Sequence, residues 1–498
     1  MVIKQKKSPL TWVWIAASVV FCALFTFALI PGAAAQQTAP TQTTQSQIRN
    51  YYNTIQTVFD FIVRNYVEEI DPNVLFEGAM SGMFNALDDP YSSFLTESDM
   101  KDLNDTTQGS FGGVGLNITK AVSPRPDGKP MWVEVVSPIE DTPGWKAGIH
   151  PGDFIIDIDG TPTETLTMDE VLSRLRGTPG ENVQLIIKRG ERMEFPITIK
   201  RAVIEVPTAK HAMIGDTGYL KLITFTPYTA DRARDAIKEF QSKNYKSLIL
   251  DLRYNYGGRL DSAVEIANLF LDGGLVVRTR SRIPGENRDF NARRSSTLVP
   301  VDMPVIVLIN KGSASASEIV AGALKDRGRA YLVGENSFGK GSVQQVYPLN
   351  ANTVGFKITT ARYFTPSDVN IDKVGIPPDS EILFPQYTEE DADRMNRLIN
   401  DNVIPPFAEK YPQASTAQID TFARTLEREY SLDLSLLKRL IRNELNRTTI
   451  APVYDLEYDV QLQEALNILQ SGNYQKLMQN AKSLRTLREE AEKTAQAG

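Results

Sequence analysis

Three serines, one lysine and one glutamine carry the chemistry most directly readable in this chain of 498 residues. The run Pro304-Val305-Ile306-Val307-Leu308-Ile309-Asn310 has the length and branching of a buried strand. It leads into Gly312-Ser313-Ala314-Ser315-Ala316-Ser317-Glu318 and then a helix with Ile319, Val320, Ala323 and Leu324 facing inward. Such a strand, small-residue turn and helix set a serine hydroxyl beside a helix N-terminus, where backbone N–H groups and the dipole favour developing negative charge. A serine nucleophile needs a base, yet only His150 and His211 occur, and His150 sits in the turn Ile149-His150-Pro151-Gly152. Lys340, between Gly339 and Gly341, can do the work if burial lowers its pKa from about 10.4 towards neutrality. Phe338 and Val343 would supply the apolar wall, and Gln344 is a neutral partner able to orient the amine without stabilising its charge. A third stretch, Ser247 to Asp251 followed by Leu252-Arg253-Tyr254-Asn255-Tyr256-Gly257-Gly258, reads as a buried strand ending where two glycines let backbone approach something closely. Ser313, Ser315 and Ser317 are equal rivals for the nucleophile on local pattern. Gly339-Lys340-Gly341-Ser342 lacks the spacing of a phosphate-binding loop.

The rest of the chain must position these groups. Its 42% hydrophobic and 23% charged content is that of a soluble globular protein, and its net charge of −7, without a basic stripe, excludes a dedicated nucleic-acid binder. The single cysteine, Cys22, and the two histidines leave no disulfide framework, thiol nucleophile or multi-histidine metal site, so no cofactor is expected. Lys4, Lys6 and Lys7 precede an uncharged apolar run from Leu10 to Ile30, about 31 Å long as a helix, and Ala33-Ala34-Ala35 suits signal peptidase. Residues 1–35 therefore predict export across a bacterial inner membrane, either as a cleaved signal or as an anchor holding an extracytoplasmic body. A Gln/Thr-rich spacer over 36–47 leads to a helical region over 48–108, with Ile55, Val58, Phe59, Ile62 and Val63 on one face.

Residues 109–202 read as a compact β-rich module. Phe111-Gly112-Gly113-Val114-Gly115-Leu116 forms a glycine-rich turn entering a strand, a nest of N–H groups suited to a carboxylate. Thr167 and Glu170 make a capping box opening a helix with Met168, Val171, Leu172 and Leu175 on its face, and Gly177 ends it. From 203 to 385 short strands alternate with helices, the pattern of an α/β core, and 386–498 is charged and helical. Leu436, Leu437, Leu440 and Ile441 offer an apolar face there for a dimer interface, a lid or an adaptor-docking surface.

The module at 109–202, with its Ala147-Gly148-Ile149, Gly152-Asp153 and Asp159-Gly160 series, resembles a PDZ domain of the circularly permuted bacterial type. That resemblance implies binding of C-terminal peptides at Gly112, Gly113, Val114, Gly115 and Leu116. The stretches Asp251-Leu252-Arg253, Gly257-Gly258, Gly312 to Glu318 and Gly334-Glu335 with Phe338 to Gln345 resemble the carboxyl-terminal processing, or tail-specific, proteases. The likeness spans about 48–385 and implies a ClpP/crotonase-like α/β protease core. By this resemblance Ser315 is the nucleophile, Lys340, 25 positions later, its base, and Gln344 the orienting amide; Gly258 or Gly257, with Ala316, gives the oxyanion donors. Tyr254 and Tyr256 depart from the family pattern and put side-chain preference in doubt, while Glu318 and Asp326 match family acids that read as structural. The function implied is a serine endopeptidase that captures the tails of exported proteins through its PDZ domain. Its expected partners are protein substrates with free C-termini, an adaptor, further copies of itself and the membrane. The rival reading, a binding protein on a degenerate protease scaffold, is opposed by Ser315, Lys340 and Gln344 occurring together.

Overall fold

The computed structural model describes residues 42–121, 130–139, 141–190, 192–350, 353–385, 387–446 and 452–497, in two compact units. The apolar stretch Leu10–Ile30, with Cys22, lies outside them. Among the described residues no helix is long and apolar enough to cross a membrane.

The first unit comprises residues up to Asp89 together with 281–287. Its helices are α1 (Gln42–Asn65) and α2 (Pro72–Asn85). Helix α1 begins inside the stretch expected to be spacer. Pro72 opens α2 because its missing N–H is an orphan at a first helical turn, and Asp71 caps it by accepting from Asn73 N–H at 2.9 Å.

The second unit begins at Pro90, within the 48–108 stretch expected as a helical region. Strand β1 (Ser93–Leu95) and helix α3 (Glu97–Gln108) precede β2 (Ser110–Gly113), β3 (Leu116–Lys120) and β4 (Val133–Pro138). Helix α4 (Pro143–Lys146), β5 (Phe154–Ile158), β6 (Thr161–Pro162), α5 (Met168–Leu175), β7 (Asn182–Arg189), β8 (Met193–Lys200) and β9 (Ala202–Glu205) complete the module. Its sheet runs β3-β4-β5-β7-β8, and β2 pairs with β9 in a separate ribbon. Val183, Leu185 and Ile187 alternate inward along β7, the two-residue period of a strand with one buried face.

The core follows with β10 (Ala209–Ile214), β11 (Thr217–Leu222), α6 (Thr229–Ser242), β12 (Ser247–Asp251), α7 (Leu260–Asn268), β13 (Gly273–Ser281), β14 (Arg288–Arg293), β15 (Val305–Ile309), α8 (Ala316–Asp326) and β16 (Tyr331–Gly334). Then come β17 (Ser342–Leu349), β18 (Val354–Phe364) and β19 (Ser380–Glu381). The main sheet is β10-β11-β12-β15-β16-β19, parallel from β11 onward, and a second sheet holds β1, β18, β13, β14 and β17. Strands β12 and β15 are buried throughout, and apolar but for Ser247 and Asp251 at the ends of β12, because both faces are covered. Leu248, Leu250, Val305, Val307 and Ile309 pack with α6, α7 and α8; Ile249, Ile306 and Leu308 point the other way.

That other face is covered by the chain's end. Helices α9 (Glu389–Asn400), α10 (Ile404–Lys410), α11 (Thr416–Tyr430) and α12 (Leu434–Leu445) form their own cluster. Leu437, Leu440 and Ile441 are packed within it, so the apolar face expected to await a partner is occupied in the chain itself. Helices α13 (Val460–Gln470), α14 (Tyr474–Asn480) and α15 (Leu484–Ala497) follow. Leu462, Ala465, Leu466 and Tyr474 lie against Ile249, Ile306 and Leu308, making α13 and α14 a layer of the main sheet, whereas Leu484, at the start of α15, packs on the opposite face with α8. Arg253 locks this docking: it pairs with Asp251 at 2.6 Å and with Asp459, the cap of α13, at 2.6 Å, and reaches Gln461 at 3.0 Å.

Candidate active site

Asn255 organises the loop after β12. Fully buried, it donates to Leu222 O at 2.9 Å and accepts the Gly257 N–H at 2.9 Å, while its own carbonyl receives Ala314 N–H and Ser317 Oγ–H. The Gly257 amide is therefore already engaged and is not the free oxyanion donor. The amides of Gly258 and Ala316 donate to no acceptor among the described residues. Gly258 must be glycine: its φ is +143°, and a Cβ there would lie 2.1 Å from Phe225 O.

The three serines separate by their bonds. Ser313 Oγ donates to Leu252 O and accepts from Asn310 N–H; Ser317 Oγ donates to Asn255 O; both are fully buried. Each pins the turn to the neighbouring strand end. Ser315 is half-buried, caps α8 with φ +55° and ψ −111°, and lines a cleft of about 740 Å³. A non-glycine residue in that left-handed region stores about 1–3 kcal/mol of strain, tolerated where surrounding structure over-determines it. Gly257, Gly258, Ala316, Lys340 and Gln344 line the same cleft.

Two buried groups bind the Ser315 and Lys340 backbones together. The Glu318 carboxylate accepts Ser315 N–H at 2.8 Å and Lys340 N–H at 2.9 Å on one oxygen, and Gly339 N–H at 2.7 Å and Ser337 Oγ–H at 2.5 Å on the other. Burial pushes its pKa above the ordinary glutamate value, while the four donors pull the other way. The Tyr363 hydroxyl donates to Lys340 O and reaches Ser315 O at 3.4 Å. No local pattern marks either residue as spanning both segments, because their partners are drawn together only by the fold.

Gln344 Nε2 donates to Ser342 Oγ at 2.9 Å and Thr359 Oγ1 at 3.1 Å, which anchors its carboxamide to β17 and β18. Val343 lines the cleft, but Phe338 is 56% exposed and is not the wall expected beside Lys340. Its place near the amine is taken by Tyr91, whose ring centroid lies 4.8 Å from Lys340 Nζ. Tyr256 lines the cleft and is 77% exposed, whereas Tyr254 turns at φ +59° outside it. Neither histidine lines the cleft: His211 meets Glu239, and His150 stays in its exposed turn. Asp326 accepts from Ser367 and from Leu484 N–H and is structural.

In the β-rich module a second groove, of about 380 Å³, is lined by Val114, Gly115, Leu116, Ile118 and Leu172. Gly112 and Gly113 do not line it; they stand in β2 paired with Val203 and Ala202. Strand β3 is the outer strand of its sheet, so an extended peptide has an edge to pair with beside α5. Arg176, at the end of α5, lines this groove and pairs with Asp102 and Asp105 of α3 at 3.3 and 3.2 Å. Leu103, Thr106 and Thr107 of the same helix line the Ser315 cleft.

Three family models match the chain: peptidase family S41 over 216–382, a PDZ domain over 134–189, and the N-terminal domain of the activating protease CtpB over 19–99. A carboxy-terminal-processing protease of Bartonella bacilliformis is 42% identical over 327 residues, covering 65% of this chain and 73% of that protein. The chloroplastic carboxyl-terminal-processing peptidase 2 of Arabidopsis thaliana is 39% identical, over 62% of this chain and 61% of its own length. The carboxy-terminal processing protease CtpB of Bacillus subtilis is 35% identical, over 67% and 68%. Among solved structures, the photosystem II D1 C-terminal processing protease aligns at 29% identity and a TM-score of 0.39, covering 66% of this chain and 92% of that one.

Proposed function

Because the chain belongs to the carboxy-terminal processing proteases of peptidase family S41, we propose that it is a serine endopeptidase working by a Ser315–Lys340 pair. The observation that carries the reading is the backbone of Ser315, held at φ +55° on the N-terminus of α8 in the cleft that Lys340 also lines. Neutral Lys340 takes the Ser315 Oγ proton as Oγ bonds to the scissile carbonyl carbon. The Gly258 and Ala316 amides then hold the resulting oxyanion at the positive end of the helix. Collapse breaks the C–N bond, and the Lys340 proton passes to the departing amine. Water, deprotonated by the Lys340 amine, attacks the acyl carbon, and the ester bond breaks as Lys340 returns the proton to Ser315 Oγ. Gln344, neutral and anchored, steadies the base without favouring its charged form.

The module at 109–202 takes the free C-terminus of a protein substrate as an added strand along β3, with its terminal side chain against Leu116 and Leu172. Exported proteins are the substrates proposed, on the charge and apolar pattern of residues 1–35. An adaptor and self-assembly remain part of the proposal through the family resemblance. The test is turnover of an unfolded protein with a free apolar C-terminus by the full-length chain, Ser315→Ala and Lys340→Ala. Both variants are expected to fold and be inactive. Lys340→Ala cleaving at the parental rate would overturn the base, and a parent that binds tails without cleaving them would favour the non-catalytic binding protein.

A further inference from the structure

Lys340 carries a contact that the acyl-transfer scheme does not use. Its Nζ stands 4.8 Å from the centre of the Tyr91 ring, within the range at which a cation is drawn to an aromatic face. Tyr91 is half-buried and is held from its C-terminal side. Ser92 is buried and its Oγ accepts Thr359 N–H at 2.9 Å, while Phe94 and Leu95 pair in β1 with Phe356 and Gly355 of β18. Thr359 is also the residue whose hydroxyl takes the Gln344 amide. One short strand thus fixes the ring over the lysine and buttresses the residue that anchors Gln344.

We propose that Tyr91 is a positioning residue for the base: its ring face holds the Lys340 ammonium as it forms and sets the pH at which the amine is released. This rests on the Ser–Lys reading for its role in turnover. As the serine proton moves to Lys340, positive charge grows where the ring's negative face waits, so the ring stabilises the ammonium as it forms. A carboxylate at that place would hold the ammonium too strongly for a base; the ring, at a fraction of that attraction, keeps the amine oriented and still releasable.

Other charged and titratable groups surround the lysine. Glu318 of α8 accepts its backbone N–H, Tyr363 of β18 donates to its carbonyl, and Asp372 accepts the Gly341 N–H. Arg259, Asp261 and Lys357 line the cleft. All are unchanged in substitutions at Tyr91, so a shift between those variants reports the ring.

The experiment compares the full-length parent with Tyr91→Phe, Tyr91→Trp and Tyr91→Leu in two measurements. One is the pH dependence of kcat/KM. The other is the pH dependence of Lys340 acetylation by an N-hydroxysuccinimide ester, read by mass spectrometry. A cation–ring attraction of ordinary size moves the amine's half-point by roughly half a pH unit. Tyr91→Leu is expected to shift both acid limbs to lower pH and to lower the plateau of kcat/KM, because the amine loses its seat. Tyr91→Phe, which keeps the face, should track the parent, and Tyr91→Trp should shift the limbs upward. Half-points that follow side-chain bulk, or do not move in Tyr91→Leu and Tyr91→Trp, overturn the proposal. The labelling result depends only on the ionisation of Lys340, so it stands apart from the protease reading. An active Lys340→Ala, run alongside, would count against that reading alone. Should Tyr91→Leu fail to fold, the Phe and Trp pair decides.

Discussion

Glu318→Gln is the sharpest perturbation of the way Ser315 and Lys340, the pair proposed to react, are held. The carboxylate serves four donors, two to each oxygen. A carboxamide offers one acceptor oxygen and one NH2, so one pair of donors must face hydrogens. The better orientation turns NH2 towards Ser337 and Gly339, since Ser337 Oγ can accept, leaving the Gly339 N–H opposed. One unsatisfied buried donor costs about 1–3 kcal/mol. Ser315 and Lys340 exchange charge-assisted bonds for neutral ones, a further loss of about 1 kcal/mol each. Removing a buried charge offsets part of this, because burial already disfavours the ionised form. The expected net destabilisation is about 2–4 kcal/mol, read from urea unfolding. The larger effect is on rate: the tie between the two backbones weakens to neutral bonds while the opposed Gly339 amide pushes the Lys340 segment away, and a shift near 1 Å between reacting groups lowers rate about 100-fold. The assay is kcat/KM per folded molecule, under conditions where unfolding shows the variant to be native. A variant that loses the expected stability yet cleaves within threefold of the parent refutes the reasoning, since Glu318 would then support the fold and not the geometry.

Gly258→Ala should retain a folded PDZ module but lose cleavage by about 100-fold or more, because a Cβ 2.1 Å from Phe225 O forces the amide proposed to hold the oxyanion to move; parental kcat/KM would count against Gly258 as a donor. Arg253→Met should destabilise by about 3–5 kcal/mol at pH 7 by leaving Asp251 and Asp459 unpaired. Burial pushes Asp251 up, but the Arg253 charge and its hydrogen bonds outweigh that and depress the carboxyl below its usual value. A depressed folded-state pKa contributes stability that is present above the unfolded value, about 3.9, and lost as pH falls through the folded one. The gap between parent and Arg253→Met in urea midpoint should therefore narrow on acidification below about pH 4, and a gap that stays constant from pH 7 to 3 would contradict the assignment.

Much of the architecture was legible along the chain because its signals are local. Strand β15 showed itself in five consecutive branched or leucine residues, and α5 in its capping box, since Thr167 and Glu170 bond to one another's backbones three positions apart. The end of the chain was less legible. The helical pattern beyond 386 is the same whether a helix joins a separate cluster, as α12 does, or closes the main sheet, as α13 does. Only the partners differ, and Ile249 and Ile306 lie more than 150 positions earlier.

The site divides along the same line. By itself the sequence determined the chemical types: a serine turn at a helix start, a lysine between glycines, a near absence of histidine, and two glycines after a buried strand. Residue identity and short spacing suffice for these, since each follows from backbone freedom or from the lack of another base. Only the tertiary structure decided that Ser313 and Ser317 spend their hydroxyls on Leu252 and Asn255 while Ser315 faces the cleft, and that Asn255 consumes the Gly257 amide. It likewise set Tyr91, not Phe338, over the amine. A hydroxyl or an amide becomes a structural group or a reactive one according to which distant acceptor the fold brings within about 3 Å, and no local pattern records that distance.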